Sequence, residues 1–313
     1  MTNACMPIPA ASDFAGAITA LVTPFEGEAL DADAFAALVE RQVGGGASGL
    51  LVAGIAGEGP TLSPAERDLL VEIAVRGAAG RPVIAATGSN GTERTIAWSR
   101  AACRAGADAL LVTVPFYNRP SQEGVIRHFE AVARAVDRPI LVHPAPERTA
   151  VTLAPATLAR IAALPGVAGI VGGLDRLRGL TCGLSRLSDG DGDVLRGTFS
   201  GAVGGISALA NVVPRLVAAL HHACRAGDLG SARRLEQTLA PLAALAAEEA
   251  EGVIAKAAAA MCGGFDPAPR LPLVAASAAS LTRLHALLPA LRDAEAALAG
   301  AVSRGRTRAR RRG

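Results

Sequence analysis

Lysine is almost missing from this sequence. Of its 31 basic side chains only Lys256 is a lysine, and the others are arginines. Aromatic residues make up 3% of the chain, with a single tyrosine and a single tryptophan. A Schiff base requires a primary amine, which the guanidinium of arginine does not offer. Any covalent amine chemistry would therefore depend on Lys256 alone, and any phenol chemistry on Tyr117 alone.

Other absences narrow the class of protein. Five cysteines lie far apart with no CxxC spacing, which favours small buried thiols in a reduced protein over a metal site. The N-terminus has no basic segment followed by an apolar run, so we expect no signal peptide and a cytoplasmic protein. Apolar stretches are broken by charges or proline before 18 residues, so we predict no transmembrane helix.

The charge of the chain is divided between its body and its tail. The net charge is +3, but six of the last ten residues are arginines, and without them 25 basic residues stand against 28 acidic ones. A mildly acidic body does not suit a nucleic-acid platform. We predict a solvated, disordered basic tail over residues 303–313 and a disordered N-terminus over residues 1–13.

A repeat organises the rest of the chain. Short apolar runs alternate with helix-length amphipathic segments, and the first seven runs start 27 to 33 residues apart. The predicted strands are 18–23, 49–53, 82–86, 109–113, 139–143, 167–171, 194–196 and 205–208. Apolar strands alternating with helices indicate a parallel sheet buried on both faces. We predict an α/β protein with a (β/α)₈ TIM barrel; an open doubly wound sheet is the alternative, although no GxGxxG follows the first strand.

One spacing in this repeat is too short. The seventh and eighth predicted strands start 11 residues apart, whereas a parallel crossover needs a dozen or more residues between strands. Either the helix between them is missing or truncated, or one strand is misplaced. We predict a barrel over residues 14–212 and C-terminal helices packed on it over residues 213–302.

Several strings resemble the dihydrodipicolinate synthase / N-acetylneuraminate lyase family. They are GAITALVTPF at 16–25, GIAGE at 54–58, PFYNRPSQEG at 115–124 and PERT at 146–149. The resemblance runs from about residue 14 to 300 and implies class I aldolase chemistry. In that family a strand-six lysine forms a Schiff base with pyruvate, and a strand-five tyrosine transfers protons. Two hydroxyl residues hold the pyruvate carboxylate, a loop tyrosine completes a relay across a subunit interface, and an arginine binds the second substrate.

Carried over residue by residue, the resemblance is partial. Tyr117 matches the loop tyrosine and Arg148 the substrate arginine. The anion-binding segment becomes Gly54, Ile55, Ala56 and Gly57, with Glu58 after it, so both hydroxyls are lost. His143 replaces the strand-five tyrosine and Pro144 the asparagine after it. The strand-six motif reads IVGGLD over 170–175, which puts Val171 at the lysine position.

These replacements favour a pseudoenzyme. Val171 supplies no nitrogen, and we interpret Lys256 as a helix-surface or packing lysine. Losing two donors to a carboxylate removes about 1.5–3 kcal/mol for each charge-assisted hydrogen bond. We therefore expect no classical activity and a ligand-binding or regulatory subunit. The alternative is a divergent lyase that acts on a 2-oxo acid or related carboxylate with His143 and Arg148.

Further expectations concern partners and cofactors. We predict a homo-oligomer, or a partner of an intact paralogue, with no cofactor and no metal. His221 and His222 are adjacent and cannot share one helix face, and His143 is the only histidine at a predicted strand end. His143 is either an acid–base group or a space-filling imidazole, and Arg148 and Tyr117 either bind a ligand or maintain a subunit contact.

Overall fold

The fold is a closed barrel of eight parallel strands, seen in a computed structural model that describes residues 14–173 and 184–310. The barrel strands are β1 Gly16–Ala20, β2 Gly49–Val52, β3 Val83–Ala86, β4 Ala109–Thr113, β5 Ile140–His143, β6 Val167–Gly172, β7 Ser185–Asp189 and β8 Gly204–Ser207. Each strand pairs in parallel with its neighbours in chain order, and β1 closes the barrel against β8. The predicted TIM barrel is confirmed, and the open sheet is excluded.

The seventh strand lies earlier in the chain than predicted. Residues 194–196 belong to a short helix, Val194–Phe199, and the strand is Ser185–Asp189. The sequence hides this strand because serine occupies two of its buried positions, Ser185 and Ser188, and Leu187 is its one large apolar residue. The helix between strands seven and eight is thus present but only six residues long, and correcting the strand removes the spacing conflict.

The helices cover the outside of the barrel and extend beyond it. They are α1 Ala32–Gly45, α2 Pro64–Gly77, α3 Thr92–Arg104, α4 Gln122–Ala135, α5 Pro146–Thr149, α6 Pro155–Ala162, α7 Val194–Phe199, α8 Pro214–Arg225, α9 Leu229–Ala246, α10 Val253–Gly263 and α11 Ala278–Arg310. A two-stranded antiparallel hairpin, Phe25–Glu26 with Ala29–Leu30, precedes α1. The last helix continues into the segment for which the sequence suggests a disordered tail. No helix in the described part of the chain is both long and apolar enough to span a bilayer.

Side-chain caps fix where two of these helices begin. A capping box begins α2: the Glu66 N–H donates to Ser63 Oγ at 3.2 Å, and the Ser63 N–H donates to the Glu66 carboxylate at 2.8 Å. Ser121 caps α4 with a single bond, which its Oγ accepts from the Gly124 N–H at 3.2 Å. Thr92 is the first residue of α3, and its hydroxyl contacts His128 Nδ1 at 3.0 Å.

The barrel interior is apolar up to the carboxyl ends of its strands. Inward-facing residues form one buried cluster, which includes Ile18, Ile84, Leu141 and Leu187. A second apolar layer lies between the strands and the surrounding helices. Alternation along each strand therefore decides which side chain points into the barrel, and the last inward position of each strand faces the mouth.

Candidate functional site

A cavity of about 390 Å³ opens at the carboxyl ends of the strands. This is the end at which barrel enzymes carry their active sites. Its polar and charged lining residues are Arg67, Ser89, Asn90, Arg94, Thr113, His143, Arg148, Asp189 and Glu251, and its apolar lining includes Ile55, Ala56, Trp98, Leu111, Phe116 and Val171. The space at the predicted site is therefore open, and Ile55 lines it. Leu174, in the strand-six motif, lies outside the described residues.

His143 is held on both sides of its ring. Its Nε2 lies 3.1 Å from Asp189 Oδ2, and its Nδ1 lies 3.3 Å from Thr113 Oγ1. An ionised carboxylate only accepts, so opposite ionised Asp189 the hydrogen is assigned to Nε2. The lone pair of the neutral ring is then on Nδ1, which accepts from the Thr113 hydroxyl. His143 is 8% exposed and faces the cavity, so this geometry suits acid–base chemistry.

The partners of His143 did not emerge from the sequence. Asp189 ends the strand that was misplaced, and Thr113 ends a correctly predicted strand but was not singled out. Because parallel strands bring their carboxyl ends together, a polar residue at the end of each strand is the signal that would have found both. Asp189 reaches His143 across β6, whose inward residue at this level is Val171.

Val171 lies in the wall between those two strands. It follows Ile170, which pairs with Val142, the residue before His143. Its side chain is 1% exposed and lines the cavity. Neutral, short and unable to donate a hydrogen bond, Val171 leaves room for the contact between His143 and Asp189.

Arg148 reaches the cavity from α5, and its guanidinium is already paired. Its Nη2 donates to the carboxylate of Glu251, a residue that also lines the cavity and that sequence reasoning missed. Burial raises the pKa of Glu251, against the lowering effect of Arg148. One guanidinium carries five N–H donors, so this single contact leaves others for a ligand. Arg148 is thus placed to bind an anion beside, or in competition with, Glu251.

The segment that follows β2 contributes three of its four predicted residues. Gly54, Ile55 and Ala56 line the cavity, whereas Gly57 does not. The Gly57 carbonyl instead accepts from Thr23 Oγ1 at 2.7 Å, and a side chain at Gly57 would collide with the Leu21 carbonyl. Gly57 is therefore a packing glycine, and Ile55 and Ala56 present an apolar surface where the resemblance leads one to expect hydroxyls.

Lys256 lies away from the cavity lining. Its Nζ donates to Glu58 Oε1 at 2.7 Å and to the Ala268 carbonyl at 2.8 Å, and it sits 4.3 Å from the centre of the Phe25 ring. The residue is 1% exposed, so it is a buried packing lysine and not a helix-surface one. Burial lowers its pKa, and the ion pair with Glu58 opposes that shift. The Glu58 carboxylate is shared with the Arg270 N–H at 2.7 Å.

Tyr117 does not join the site within this chain. Its side chain is 90% exposed and is not part of the cavity lining, although its neighbour Phe116 is. Its φ of 72° lies in the left-handed region. Ala53, Glu58 and Ala145, which also lie in the loops after strands, share that conformation. Such residues cost about 1–3 kcal/mol each and concentrate at functional sites, so the strain at this face agrees with the position of the cavity.

Arg67 and Trp98 form another part of the cavity wall. The Arg67 guanidinium donates to the carbonyls of Gly59 and Ala86 and stacks over the Trp98 ring at 4.1 Å. Burial lowers the Arg67 pKa to about 10, so it keeps its charge at neutral pH. Trp98 is the only tryptophan of the chain, which makes its fluorescence a specific reporter of events in the cavity.

A parallel barrel with an imidazole–carboxylate pair in a cavity over its strand ends has the architecture of a barrel enzyme. Comparison with known proteins gives the family. A profile described as the Dihydrodipicolinate synthetase family matches residues 13–291, and the chain belongs to that family.

Relatives and solved structures agree with this assignment. The chain is 44% identical over 298 residues to the 4-hydroxy-tetrahydrodipicolinate synthase of Hyphomonas neptunium, covering 92% of this chain and 99% of that protein. It is 45% identical to the synthase of Sorangium cellulosum, covering 85% and 92%. A dihydrodipicolinate synthase structure from Acinetobacter baumannii, complexed with pyruvate, superimposes with a TM-score of 0.85 at 31% identity, covering 89% and 99%.

These matches overturn one prediction from the sequence. The interpretation as a pseudoenzyme or regulatory subunit is wrong, because relatives at 41–45% identity over most of this chain are named as synthases. The inference failed because it treated the replacement predicted at Val171 as loss of all activity. The cavity is open, and the imidazole of His143 lies against the Asp189 carboxylate within it.

Proposed function

We propose that this protein is an active lyase that makes or breaks a carbon–carbon bond beside the carbonyl of a 2-oxo acid. In this proposal His143 is the acid–base group, Arg148 anchors the carboxylate and no Schiff base forms. The observation that carries it is the His143–Asp189 pair, with its 3.1 Å contact, in an open cavity at the strand ends. The similarity to named synthases and to a pyruvate-bound structure supports the substrate class.

The absence of an amine is part of the proposal. The resemblance puts Val171 where the family lysine belongs, and the only lysine of the chain is committed to Glu58 and Ala268. Both side chains of that pair are at most 3% exposed. Releasing Lys256 toward the mouth would strand a buried carboxylate, which typically costs about 3–5 kcal/mol.

Proton abstraction next to the carbonyl needs only a base and a stabilised oxygen. When the Thr113 hydroxyl turns away from Nδ1, the lone pair on His143 Nδ1 is free to take a proton from the carbon beside the carbonyl, and the bonding electrons move to the carbonyl oxygen as an enolate. Asp189 stabilises the imidazolium that forms. The enolate carbon then attacks an acceptor aldehyde, and the imidazolium returns its proton to the new alkoxide. The reverse sequence cleaves the bond.

The negative charges of this pathway need donors. Arg148 has N–H groups beyond the one given to Glu251, and these suit a carboxylate. Backbone N–H groups of the turn at residues 54–57 provide a second set of dipoles for an oxyanion. Removing one such donor in an enzyme typically lowers kcat about 100- to 1,000-fold.

Deuterium exchange at the methyl group of pyruvate tests the proton-transfer step. In D₂O, proton NMR should show loss of the methyl signal with the wild-type protein. His143→Ala should slow that exchange by about 100- to 10,000-fold, the usual contribution of a positioned acid–base group. The exposed His222 provides a matched control, and His222→Ala should exchange at the wild-type rate. An unchanged rate in His143→Ala would refute the assignment.

Borohydride trapping tests the absence of a Schiff base. The protein is incubated with pyruvate and sodium borohydride and examined by intact mass, followed by peptide mapping. We expect no adduct under conditions in which exchange proceeds. An adduct mapped to Lys256 would overturn the non-covalent pathway and return the protein to amine chemistry.

Subunit organisation is a further part of the proposal. We propose a homo-oligomer in which Tyr117 contacts a second subunit, because its side chain is 90% exposed on a left-handed backbone at the mouth. Native mass spectrometry distinguishes this from pairing with an intact paralogue. Tyr117→Ser should shift the homo-oligomer toward monomer. The same number of subunits in the variant as in the wild type would count against a role of Tyr117 in the contact.

A further inference from the structure

The floor of the cavity is apolar. Below His143 and Asp189 the inward-facing residues are aliphatic, at most 8% exposed, and line the cavity: Ala20, Leu51, Leu111, Val171 and Ile206. None of these side chains can donate to or accept from a ligand. A charged group placed on this floor would lose its hydration without replacement, which proteins avoid unless the charge is paired.

The apolar surface continues up the wall that follows β2. Ile55, half-buried, and Ala56, 2% exposed, line the cavity there. In an eight-stranded barrel joined in chain order, β2 lies opposite β6, and His143 and Asp189 end the two strands that flank β6. The acid–base pair and the apolar wall therefore face each other across the mouth.

The size of the cavity exceeds what pyruvate needs. At about 390 Å³ it falls within the range of about 300–1,000 Å³ found for pockets that hold drug-sized ligands. With the headgroup of a 2-oxo acid at His143 and Arg148 and the acceptor aldehyde entering from the mouth, the methyl group of pyruvate would still leave the apolar floor and the Ile55 wall uncovered.

We propose that the cavity selects a 2-oxo acid with an aliphatic chain longer than the methyl of pyruvate. The chain lies on the floor and against Ile55 and Ala56, and the carboxylate and carbonyl point to Arg148 and His143. This inference rests on the proposed function for the orientation of the headgroup. Its own basis is the apolar lining, which specifies what the rest of the substrate must be.

A series of unbranched 2-oxo acids tests the selection. Binding of pyruvate, 2-oxobutyrate and 2-oxopentanoate is followed by Trp98 fluorescence, with calorimetric titration as an independent readout. Burying one methylene is worth about 0.8 kcal/mol, so the Kd should fall about fourfold for each carbon added. A Kd that stays constant or rises along the series would overturn the proposal.

Ile55→Thr tests whether the wall creates the preference. The substitution keeps a β-branched side chain but replaces apolar surface with a hydroxyl, and it should reduce the gain to about twofold or less for each methylene. Val43→Thr, a similar change at a half-buried position of α1 outside the cavity lining, should keep the wild-type preference. If Ile55→Thr behaves like Val43→Thr, the wall does not contact the chain.

The same ligands separate this inference from the proposed function. Tighter binding of the longer acids without deuterium exchange would support the apolar subsite and refute the proposed lyase activity. Deuterium exchange of pyruvate without any dependence of affinity on chain length would support the proposed lyase activity and refute the apolar subsite.

Discussion

Replacing Lys256 by methionine removes the only amine of a side chain in this protein while keeping the length of the side chain. The Lys256–Glu58 pair has side chains 2% and 3% exposed, so solvent screens it little. Without the ammonium, the Glu58 carboxylate keeps the Arg270 N–H at 2.7 Å but loses its counter-charge, and the Ala268 carbonyl loses a donor.

Breaking a buried ion pair from one side typically costs about 3–5 kcal/mol. We expect Lys256→Met to lower the free energy of unfolding by about that amount, measured by urea denaturation followed by circular dichroism. The double variant Lys256→Met/Glu58→Gln should recover part of the loss, because no buried charge is then left unpaired. Arg283→Met, which breaks the exposed pair with Glu248, is the matched control and should leave stability unchanged within error.

Two results would refute this reasoning. Wild-type stability in Lys256→Met would mean that the ammonium does not neutralise Glu58 in the folded protein. Loss of deuterium exchange in a Lys256→Met variant that remains folded, at a temperature well below its unfolding midpoint, would mean that the lysine takes part in the chemistry after all.

Three further predictions follow from the surroundings of the cavity. Glu251→Gln should tighten pyruvate binding about two- to fivefold by calorimetric titration, because it removes a partly exposed carboxylate that competes for Arg148; unchanged affinity would rule out Arg148 as the anchor. Burial raises the pKa of Asp191 from 3.8 to about 6, so its ionisation costs the folded state. As pH rises from 4 to 6 the wild type should therefore lose about 2 kcal/mol of stability relative to Asp191→Asn in urea unfolding, and parallel curves would contradict this. Gly88→Ala should lower the unfolding midpoint, because its Cβ would clash with the backbone of the neighbouring strand β4, whereas Gly91→Ala has open space and should not.

The barrel could be predicted from local sequence patterns because each strand–helix unit follows the same pattern of apolar and polar residues. Apolar strands buried on both faces, helix caps such as Ser63 with Glu66, and a period near 30 residues are all readable along the chain. The seventh strand is the exception. Ser185–Asp189 is a core strand with buried serines, and apolar patterning cannot find a strand whose buried positions are polar.

The candidate site also contains some residues that the sequence identified and others that it did not. The positions of His143, Arg148 and Val171 followed from motifs close in sequence, and all three line the cavity. Glu251 and Asp189 come from segments far from them in the chain, so no local spacing could indicate the contacts they make.

What the sequence determined by itself is the set of available groups: one lysine, one tyrosine, and an aliphatic pair at residues 55 and 56. Composition decides which chemistry is possible, because a missing functional group cannot be supplied by folding. Only the tertiary structure decided which groups meet. Closure of the barrel brings the Asp189 carboxylate to the His143 imidazole, because strand ends distant in the chain converge on one face. Packing of helix α10 then places the Lys256 ammonium against Glu58.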